Sequence, residues 1–489
     1  MKIALSIDPN QEIPLYLRLV AAMREAIVSQ YLSPGQKVPS AQELAESQSM
    51  SRATVVKAYN ALISQGYLEA ITGSGTFVSK SLSLQENVEK PLINIPKQKE
   101  LPAGLSDYAR RILDIKLVEP TMAGLPDLNF GAPPVDTLPR EKWKDLLLKY
   151  CRAKPTNVFD CSNEIFGYRP LRAAIASFLN RTKGVKCSTD QVAIFEGSHA
   201  FSHIVRLLIE PGDLAVMENP GYICGRDVLT AEGARIIPGE VDSDGLMIEP
   251  LRRGGVKAKL CYITSPHHDP CGYMMPLERR LELLEWANAN GTFIVEDGFD
   301  SDYNYGLQPP PAVQGLDESG RVMYTYSFWK TLSPLVSLGV LVVPPSLIAP
   351  FERAKFFNDR TFPTVDHYAL TEIIADGHLD LHIKKTGKIF QARRQKLIYA
   401  LSQQFRNQIQ IPRASGGLHT MVQFKLQRTD AEIMVAARQA GLPLISTAYS
   451  YIKNPKQGEF LIPFSIMEDD KIENAVNRFA LRLIGYTGY

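Results

Sequence analysis

Short apolar runs of strand length alternate with longer runs of helical period between residues 191 and 344, and this alternation restricts the fold more than any other feature. The strand-like runs lie in QVAIFEGS, LAVMENPGY, ARIIPGEVD, AKLCYITSP, TFIVEDGF, VMYTYSFWK and GVLVVP. Helical stretches such as HAFSHIVRLLIEPGD and RRLELLEWANANG separate them. Strands separated by helices predict an α/β domain whose mostly parallel sheet is covered on both faces. In such sheets, ligands bind at the carboxyl ends of the strands.

Three polar motifs stand at the ends of these predicted strands. Gly197-Ser198-His199 lies between a strand and a helix start, where free N–H groups and the helix dipole suit a phosphate. Asp297 ends the run TFIVED, and an acid there can keep a ring nitrogen protonated. Lys330 follows VMYTYSF, and its amine could form a Schiff base with an aldehyde. Each motif alone has an ordinary structural explanation, but together they predict a pyridoxal phosphate site.

The first 80 residues show a different pattern, with three helical segments followed by a hairpin. PLYLRLVAAMREAIVSQYL has apolar residues at helical spacing, and SPGQKVPS interrupts it. Ser40 and Glu43 form a capping-box pattern, and Ser51 caps RATVVKAYNALISQG, which ends at Gly66. YLEAITGSGTFVSK is typical of a two-stranded hairpin. Three helices and a hairpin are the layout of a winged helix-turn-helix domain.

In that layout the third helix presents its first turn to the major groove of DNA. Ser51, Arg52, Thr54 and Lys57 lie on or near that turn, and Gly75 in the hairpin can approach the phosphate backbone closely. The alternative is a small helical domain that does not bind DNA. The 54 basic and 52 acidic residues nearly cancel, so any DNA-binding surface must be local.

We expect three parts in this chain of 489 residues. Residues 1–80 would form the DNA-binding domain, and residues 81–124, rich in Lys, Gln, Pro and Ser, a mostly extended linker that can end in a short helix. Residues 125–489 would form the α/β domain, with a large part at about 165–345 and a small part at about 375–489.

Cysteine spacing and hydropathy indicate the compartment. The six cysteines are scattered without a CxxC pair, which argues against a zinc site or a disulfide framework and favours a reducing cytoplasm. The N-terminus has no signal-peptide pattern, and no run reaches the roughly 18 apolar residues that span a bilayer, so no membrane partner is expected.

Two families are recognisable in the sequence. PSAQELAESQSMSRATVVKAYNALISQGYLEAITGSGTFVSK closely resembles the DNA-binding domain of the GntR family of bacterial regulators. GYRPLRAAIASFLNRTKGVKCSTDQVAIFEGSHA, IEPGDLAVMENPGY and SGGLH resemble the fold-type I (aspartate aminotransferase) domain of pyridoxal-phosphate-dependent transferases. The combination resembles the MocR subfamily of transcriptional regulators. The resemblance implies a homodimer that binds operator DNA and senses pyridoxal phosphate, an amine or an amino acid.

The resemblance also assigns roles to individual residues of the cofactor site. Lys330 holds the position of the Schiff-base lysine, and Asp297 that of the aspartate that pairs with the pyridine nitrogen. Tyr222, in NPGY, holds the position of an aromatic ring that stacks on the cofactor. Residues 197–199 occupy the phosphate-binding turn, and Ser327 the place of a hydroxyl residue that contacts the phosphate.

Five positions depart from the family patterns. Phe299 replaces a tyrosine that bonds the cofactor's phenolic oxygen, and Ser337 replaces an arginine that neutralises the phosphate. Trp329 replaces a small residue, and Asp269 replaces an asparagine or aromatic residue and would repel the phenolic oxygen. Gln42 replaces an arginine that contacts DNA, which places more weight on the remaining DNA contacts.

These departures leave three functions open. Each lost contact costs about 1–3 kcal/mol of cofactor binding, and EFLIPFSIMEDD contains no arginine to clamp a substrate carboxylate. The chain could be a regulator that senses a ligand through pyridoxal phosphate bound at Lys330. It could instead be a pyridoxal-phosphate-dependent aminotransferase, although the missing groups argue against efficient turnover. The third option is a regulator whose degenerate domain no longer binds the cofactor.

Overall fold

The computed structural model describes residues 14–29, 31–80, 104–115, 133–153, 164–197, 199–306, 308–359, 363–412 and 416–484. The chain divides into two compact units, Met1–Gly104 and Leu105–Tyr489. Of the expected linker, 81–124, only residues 104–115 are described, and they contain a helix, Asp107–Asp114. The rest of the linker prediction lies outside the described residues.

The N-terminal unit contains three helices and one antiparallel hairpin, as the sequence predicts. The elements are α1 (Leu15–Val28), α2 (Ala41–Ser47), α3 (Arg52–Ser64), β1 (Leu68–Ile71) and β2 (Gly75–Val78). The Ser40 hydroxyl accepts a hydrogen bond from the Glu43 N–H, and the Glu43 carboxylate accepts one from the Ser40 N–H, so the predicted capping box is present. Ser51 caps α3 through the Thr54 N–H.

One apolar core holds this unit together and explains why its helices pack with the hairpin. Leu19, Leu44, Val55 and Leu62 are fully buried in it, one or more from each helix, and Val78 joins them from the hairpin. Burial of apolar side chains at helical spacing on one face leaves the other face of α3 in solvent. The unit is a winged helix-turn-helix domain.

The second unit contains a large mixed sheet, a smaller antiparallel sheet and the helices that cover them. The helices are α4 (Asp107–Asp114), α5 (Arg140–Cys151), α6 (Arg169–Lys183), α7 (His199–Leu208), α8 (Ile223–Ala231), α9 (Glu249–Arg253), α10 (Leu277–Asn290), α11 (Val313–Leu316), α12 (Trp329–Leu332), α13 (Ile348–Asn358), α14 (Val365–Ala375), α15 (His378–Phe405), α16 (Asp430–Ala440) and α17 (Ile472–Ile484). The strands are β3 (Val192–Glu196), β4 (Leu214–Asn219), β5 (Arg235–Asp242), β6 (Gly245–Leu246), β7 (Leu260–Ile263), β8 (Phe293–Asp297), β9 (Val322–Ser327), β10 (Leu338–Val342), β11 (Ile409–Gln410), β12 (Thr420–Phe424), β13 (Ile445–Ser446) and β14 (Glu459–Ile462).

The large sheet has the strand order β3-β10-β9-β8-β7-β4-β5-β6. The strands β9, β8, β7, β4 and β5 pair in parallel, whereas β10 runs antiparallel to both of its neighbours. The strand β10 is apolar and buried along its whole length, as expected for a strand covered on both faces. The expectation of a mostly parallel, two-sided sheet is confirmed, and the inserted antiparallel strand is an addition that the sequence pattern did not predict.

The smaller sheet has the order β11-β12-β14-β13 and is antiparallel throughout. Its buried face packs against α15, α16 and α17, with Phe390, Val422, Phe460 and Phe479 all fully buried. No helix in the described part of the chain is long and apolar enough to cross a bilayer.

Candidate cofactor site and DNA-binding surface

A cavity of about 400 Å³ lies where the carboxyl ends of several parallel strands meet. Its volume is within the range of small-molecule sites. Five of the seven predicted cofactor residues line it: Gly197, Tyr222, Asp297, Ser327 and Lys330. They are far apart in sequence and come together because parallel strands end at the same edge of the sheet.

Asp297 is the last residue of β8, and two donors hold its carboxylate. The Tyr262 hydroxyl donates to Oδ2 at 2.5 Å, and the Phe299 N–H donates to Oδ1 at 3.0 Å. Burial raises the pKa of Asp297, while its hydrogen bonds and the nearby Lys330 charge act in the opposite direction. The carboxylate is therefore held in place as an acceptor for a protonated ring nitrogen. Tyr262, on β7, was not predicted, since nothing in its strand pattern distinguishes it from a core residue.

The neighbouring Glu296 has a structural role on the opposite face of β8. Its carboxylate accepts hydrogen bonds from the Val313 and Gln314 N–H groups, both at 2.9 Å, and lies 3.5 Å from the Arg280 guanidinium. Successive side chains of a strand point to opposite faces of the sheet, so one acid of the pair lines the cavity and the other is buried behind it.

Lys330 is a buried lysine, 5 % exposed, in the short helix α12 after β9. Its Nζ lies 5.1 Å from the centroid of the Phe299 ring, so a phenyl ring occupies the space beside the amine. Trp329, the residue before it, lines the cavity but is 38 % exposed. The amine therefore faces an aromatic enclosure in which a planar ligand can pack.

Tyr222 supplies a second flat surface to the cavity. Its ring lies within 18° of parallel to the Phe299 ring, with centroids 6.4 Å apart, and within 19° of the Tyr262 ring. The Tyr222 ring is therefore nearly parallel to each of these two rings, which is a favourable arrangement for contact with an aromatic ligand.

The predicted phosphate turn lies between β3 and α7. Gly197 has a positive φ of 54° and donates its N–H to the Ser337 carbonyl at 2.9 Å. A Cβ on Gly339 would lie 2.2 Å from the Gly197 carbonyl oxygen, so only glycine fits there. Ser198 lies outside the described residues. His199 begins α7 and lines a separate cavity of about 230 Å³, not the one that holds Lys330.

The donor set fits pyridoxal phosphate. A buried amine, a held carboxylate, aromatic surfaces and a ten-residue helix that starts beside the cavity are the groups that this cofactor needs. The part of the cavity that would hold the phosphate has little positive charge. Ser337 is uncharged, and Lys330 is the one Lys or Arg among the described lining residues.

Asp269 also lines the cavity and is 9 % exposed. Its N–H donates to the Thr264 hydroxyl at 2.9 Å, but its carboxylate has no hydrogen-bond partner among the residues that the structure describes. Burial raises the pKa of Asp269 to about 6, and the Lys330 charge limits the increase. The sequence pointed to this position as a departure, and the structure places it inside the cavity.

A buried carboxyl at the end of β4 makes the stability of this domain depend on pH. Glu218 is 1 % exposed, and its Oε2 accepts hydrogen bonds from the Thr264 N–H and hydroxyl. Burial raises its pKa to about 8, and burial lowers the pKa of His268, 3.8 Å away, to about 3. At neutral pH both groups are therefore neutral, and the pair is not an ion pair.

We expect this domain to lose stability as the pH rises from 6.5 to 8. Between pH 4.5, the ordinary pKa of a glutamate, and about pH 8, its pKa in the folded state, Glu218 keeps a proton that it loses on unfolding. The free energy of unfolding then falls by about 1.4 kcal/mol per pH unit, or roughly 2 kcal/mol over this interval. Urea denaturation at the two pH values should show that Glu218→Gln removes the decrease. The exposed-site variant Glu240→Gln should retain it, and equal slopes in all three proteins would disprove the assignment.

In the N-terminal unit, four of the five predicted DNA contacts, Ser51, Arg52, Thr54 and Lys57, lie at the start of α3. Arg52 is exposed at the first position of α3, and Lys57 is exposed with its Nζ 4.0 Å from the Tyr16 ring centroid. The Ser51 and Thr54 hydroxyls lie 2.8 Å apart at the helix cap. Their position is therefore set by capping, which leaves Arg52 as the long donor on this turn.

Lys37, which lies against the hairpin, is another basic side chain of this unit. Gly75 is exposed with a φ of 119°, and a Cβ there would lie 2.7 Å from the Lys37 Cε. Lys37 was not predicted, although its place between the breaks in PGQKVP is a signal for an exposed basic residue. The Gln42 amide donates to Glu46 at 2.7 Å within α2.

Each of the two units matches a known protein family. Residues 15–78 match the family model of bacterial regulatory proteins of the gntR family, and residues 127–479 match that of aminotransferase class I and II. The chain is 29 % identical to the probable rhizopine catabolism regulatory protein MocR of Rhizobium meliloti, over 97 % of this chain and 94 % of that protein. It is 26 % identical to the HTH-type transcriptional regulator YhdI of Bacillus subtilis, over 98 % and 97 %.

A solved structure supports the fold of the second unit. Kynurenine aminotransferase from Pyrococcus horikoshii superposes with a TM-score of 0.70 at 24 % identity, over 79 % of this chain and 98 % of the enzyme. The chain therefore belongs to the aminotransferase class I and II family and, through its gntR-type N-terminal domain, to the MocR type of transcriptional regulators.

Proposed function

We propose that this regulator binds pyridoxal phosphate in the cavity at Lys330, and that its affinity for operator DNA changes when the cofactor binds there and again when an amine joins the cofactor in the same cavity. It would act as a homodimer in the cytoplasm, with α3 and the hairpin on the operator. The cavity residues support the cofactor, and the Pyrococcus enzyme with the same fold was solved in complex with PMP.

One observation carries the proposal: the helix that leads towards the N-terminal unit packs against the helices of the cofactor cavity. In α4, the Arg111 Nε donates to the Ala231 carbonyl of α8 at 2.8 Å. The Arg206 guanidinium of α7 lies 5.7 Å from the Tyr108 ring centroid of α4. A shift of α7 or α8 would therefore reach α4 directly.

The smaller cavity, which α4 lines, and the cofactor cavity have residues in common, so α4 is connected to the cofactor site. Tyr108 and His199 line the smaller cavity, while Ser202 of α7 and Val228 of α8 line both. A ligand that moves these helices would change the position of α4, which begins three residues after the N-terminal unit ends at Gly104. Coupling between two sites needs such a shared element with more than one arrangement.

The cavity residues have distinct tasks towards the cofactor. Pyridoxal phosphate supplies, when bound, an aldehyde that condenses with primary amines and a ring that withdraws electrons. Lys330 would provide the amine that holds the aldehyde carbon, and Asp297 would stabilise a proton on the ring nitrogen. The N–H groups at the start of α7 would bind the phosphate, and Tyr222 would pack on the ring.

We expect Arg111→Ala to remove the effect of cofactor binding on operator affinity. In the natural protein, pyridoxal phosphate should change operator affinity by about 5- to 150-fold, the usual range for coupled sites. The variant should bind the cofactor and the operator with unchanged affinities, but its operator affinity should respond to the cofactor by less than about twofold. The measurements are absorbance titration and gel shift at fixed salt.

The matched control is Arg110→Ala on the exposed face of the same helix, where Arg110 pairs with Asp107. It should keep the full response. The proposal would be contradicted if the operator affinity of the natural protein did not change on addition of the cofactor. Sustained release of keto acids from amino acids, without operator binding, would also contradict it.

A further inference from the structure

The cavity has an unusual charge balance for a site in an aminotransferase fold. Three charged side chains line its described part: the carboxylates Asp269 and Asp297 and the amine Lys330. Asp297 is engaged by the Tyr262 hydroxyl and the Phe299 N–H. Asp269 remains, 91 % buried, with no hydrogen bond to its carboxylate from the described residues. The Lys330 charge acts on it, but this amine is the one that would bond the cofactor.

A third carboxylate strengthens the negative field around Asp269. Asp300 is 2 % exposed, neither of its carboxylate oxygens has a hydrogen-bond partner in the described part of the chain, and its charge acts on Asp269. A Cβ on Gly417 would lie 2.7 Å from Asp300 Oδ2. The Gly417 backbone, and not a positively charged side chain, therefore lies against this oxygen. A buried carboxylate without a partner is costly, which favours a ligand cation nearby.

The loop that follows Asp269 supplies no compensating positive charge. Cys271 packs with Met421 of β12 and Leu461 of β14 in a small buried apolar cluster. Leu461 belongs to the segment EFLIPFSIMEDD, which contains no arginine. A ligand carboxylate placed beside Asp269 would meet like charge, and no arginine is among the described residues that line the cavity.

We propose that the effector is a primary amine without a carboxylate on its amine-bearing carbon, and that Asp269 determines this selectivity. The inference rests on the proposed function, because it takes the cavity at Lys330 as the effector site. The amine nitrogen, when protonated, pairs with the Asp269 carboxylate, and this pairing offsets the desolvation of both groups. An α-amino acid brings a second, negative group into the same space and is excluded.

The test compares amino acids with the amines that differ from them only by the carboxylate. Serine and ethanolamine, phenylalanine and phenethylamine, and leucine and isopentylamine, in each of which the amino acid has a single amine, are titrated into the protein loaded with pyridoxal phosphate. The readouts are the visible absorption and operator gel shifts. Each amine should bind at least about tenfold more tightly than its amino acid, equivalent to about 1.4 kcal/mol.

Asp269→Asn keeps the shape and removes the charge, so the preference should fall to within about threefold. Asp269→Glu keeps the charge and should keep the preference, which separates selectivity from a folding defect. Asp244→Asn, at an exposed site, is the charge-matched control and should behave like the natural protein. Amino acids that bind as tightly as their amines, or an unchanged preference in Asp269→Asn, would overturn the inference.

Failure of the proposed function gives a different result. The natural protein would then show no absorption band with pyridoxal phosphate and no operator response to any probe. Calorimetric titration of the same ligand pairs into cofactor-free protein still tests Asp269, because the ion pair with an amine needs no cofactor. If the cofactor-free protein binds amines more tightly than amino acids, the result supports the role of Asp269 independently of the proposed function. If it shows no such preference, the inference is wrong.

Discussion

Lys330→Ala protein is expected to show no visible absorption band on addition of pyridoxal phosphate. The band requires a covalent bond between the cofactor's aldehyde and an amine, and Lys330 is the one lysine among the described lining residues of the cavity. In the natural protein the band should appear and borohydride should bleach it. The measurement is an absorbance titration, with mass spectrometry of the reduced protein to locate the attached cofactor.

The control for this experiment is Lys257→Ala, at an exposed position of the same domain. It should retain the band and the modified peptide. A band that persists in the Lys330 variant would assign the cofactor to another lysine. Absence of the band from the natural protein would instead favour a degenerate domain, in which Phe299 and Ser337 have removed too many contacts.

Arg52→Ala is expected to weaken specific operator binding strongly. Arg52 is exposed at the first position of α3, where a winged helix-turn-helix domain presents side chains to base edges. One arginine–base contact is worth about 1–3 kcal/mol of discrimination, so operator affinity should fall about 5- to 150-fold, towards that for unrelated DNA. Gel shifts with operator and unrelated DNA at one salt concentration measure both values.

Arg24→Ala is the matched control in the same unit. The Arg24 guanidinium donates to the Gln65 side chain at 2.8 Å, away from the first turn of α3, so its loss should leave operator discrimination intact. Both variants should keep the natural oligomeric state in size-exclusion chromatography and the natural cofactor titration. Unchanged operator affinity in Arg52→Ala would refute the role of this residue.

Much of the fold followed from local patterns. Helical spacing, the Ser40–Glu43 capping box and the glycines of the hairpin predicted the N-terminal unit, because each acts within a few residues. The apolar runs predicted the strands of the large sheet for the same reason. The antiparallel β10 was not predictable in this way, since a fully buried strand has the same apolar pattern in either direction.

The candidate site was predictable only in part. Lys330 and Asp297 stand out because a lysine and an acid are rare at the ends of buried strands. Tyr262 looked like core, and its contact with Asp297 joins two strands 35 residues apart. His199 lies in a second cavity, and the Asp269 carboxylate lies in the first without a hydrogen bond from the described residues; both placements depend on packing between distant segments.

The sequence by itself determined the helices, the strands, the strand-end residues that form the cavity and the combination of the two families, because periodicity, capping and motif spacing are local properties. The tertiary structure alone decided that Glu296 faces Arg280 while Asp297 faces the cavity, and that Arg111 of α4 bonds Ala231, 120 residues away. These contacts depend on which faces pack together, and burial then sets the charge states on which the proposed recognition of an amine depends.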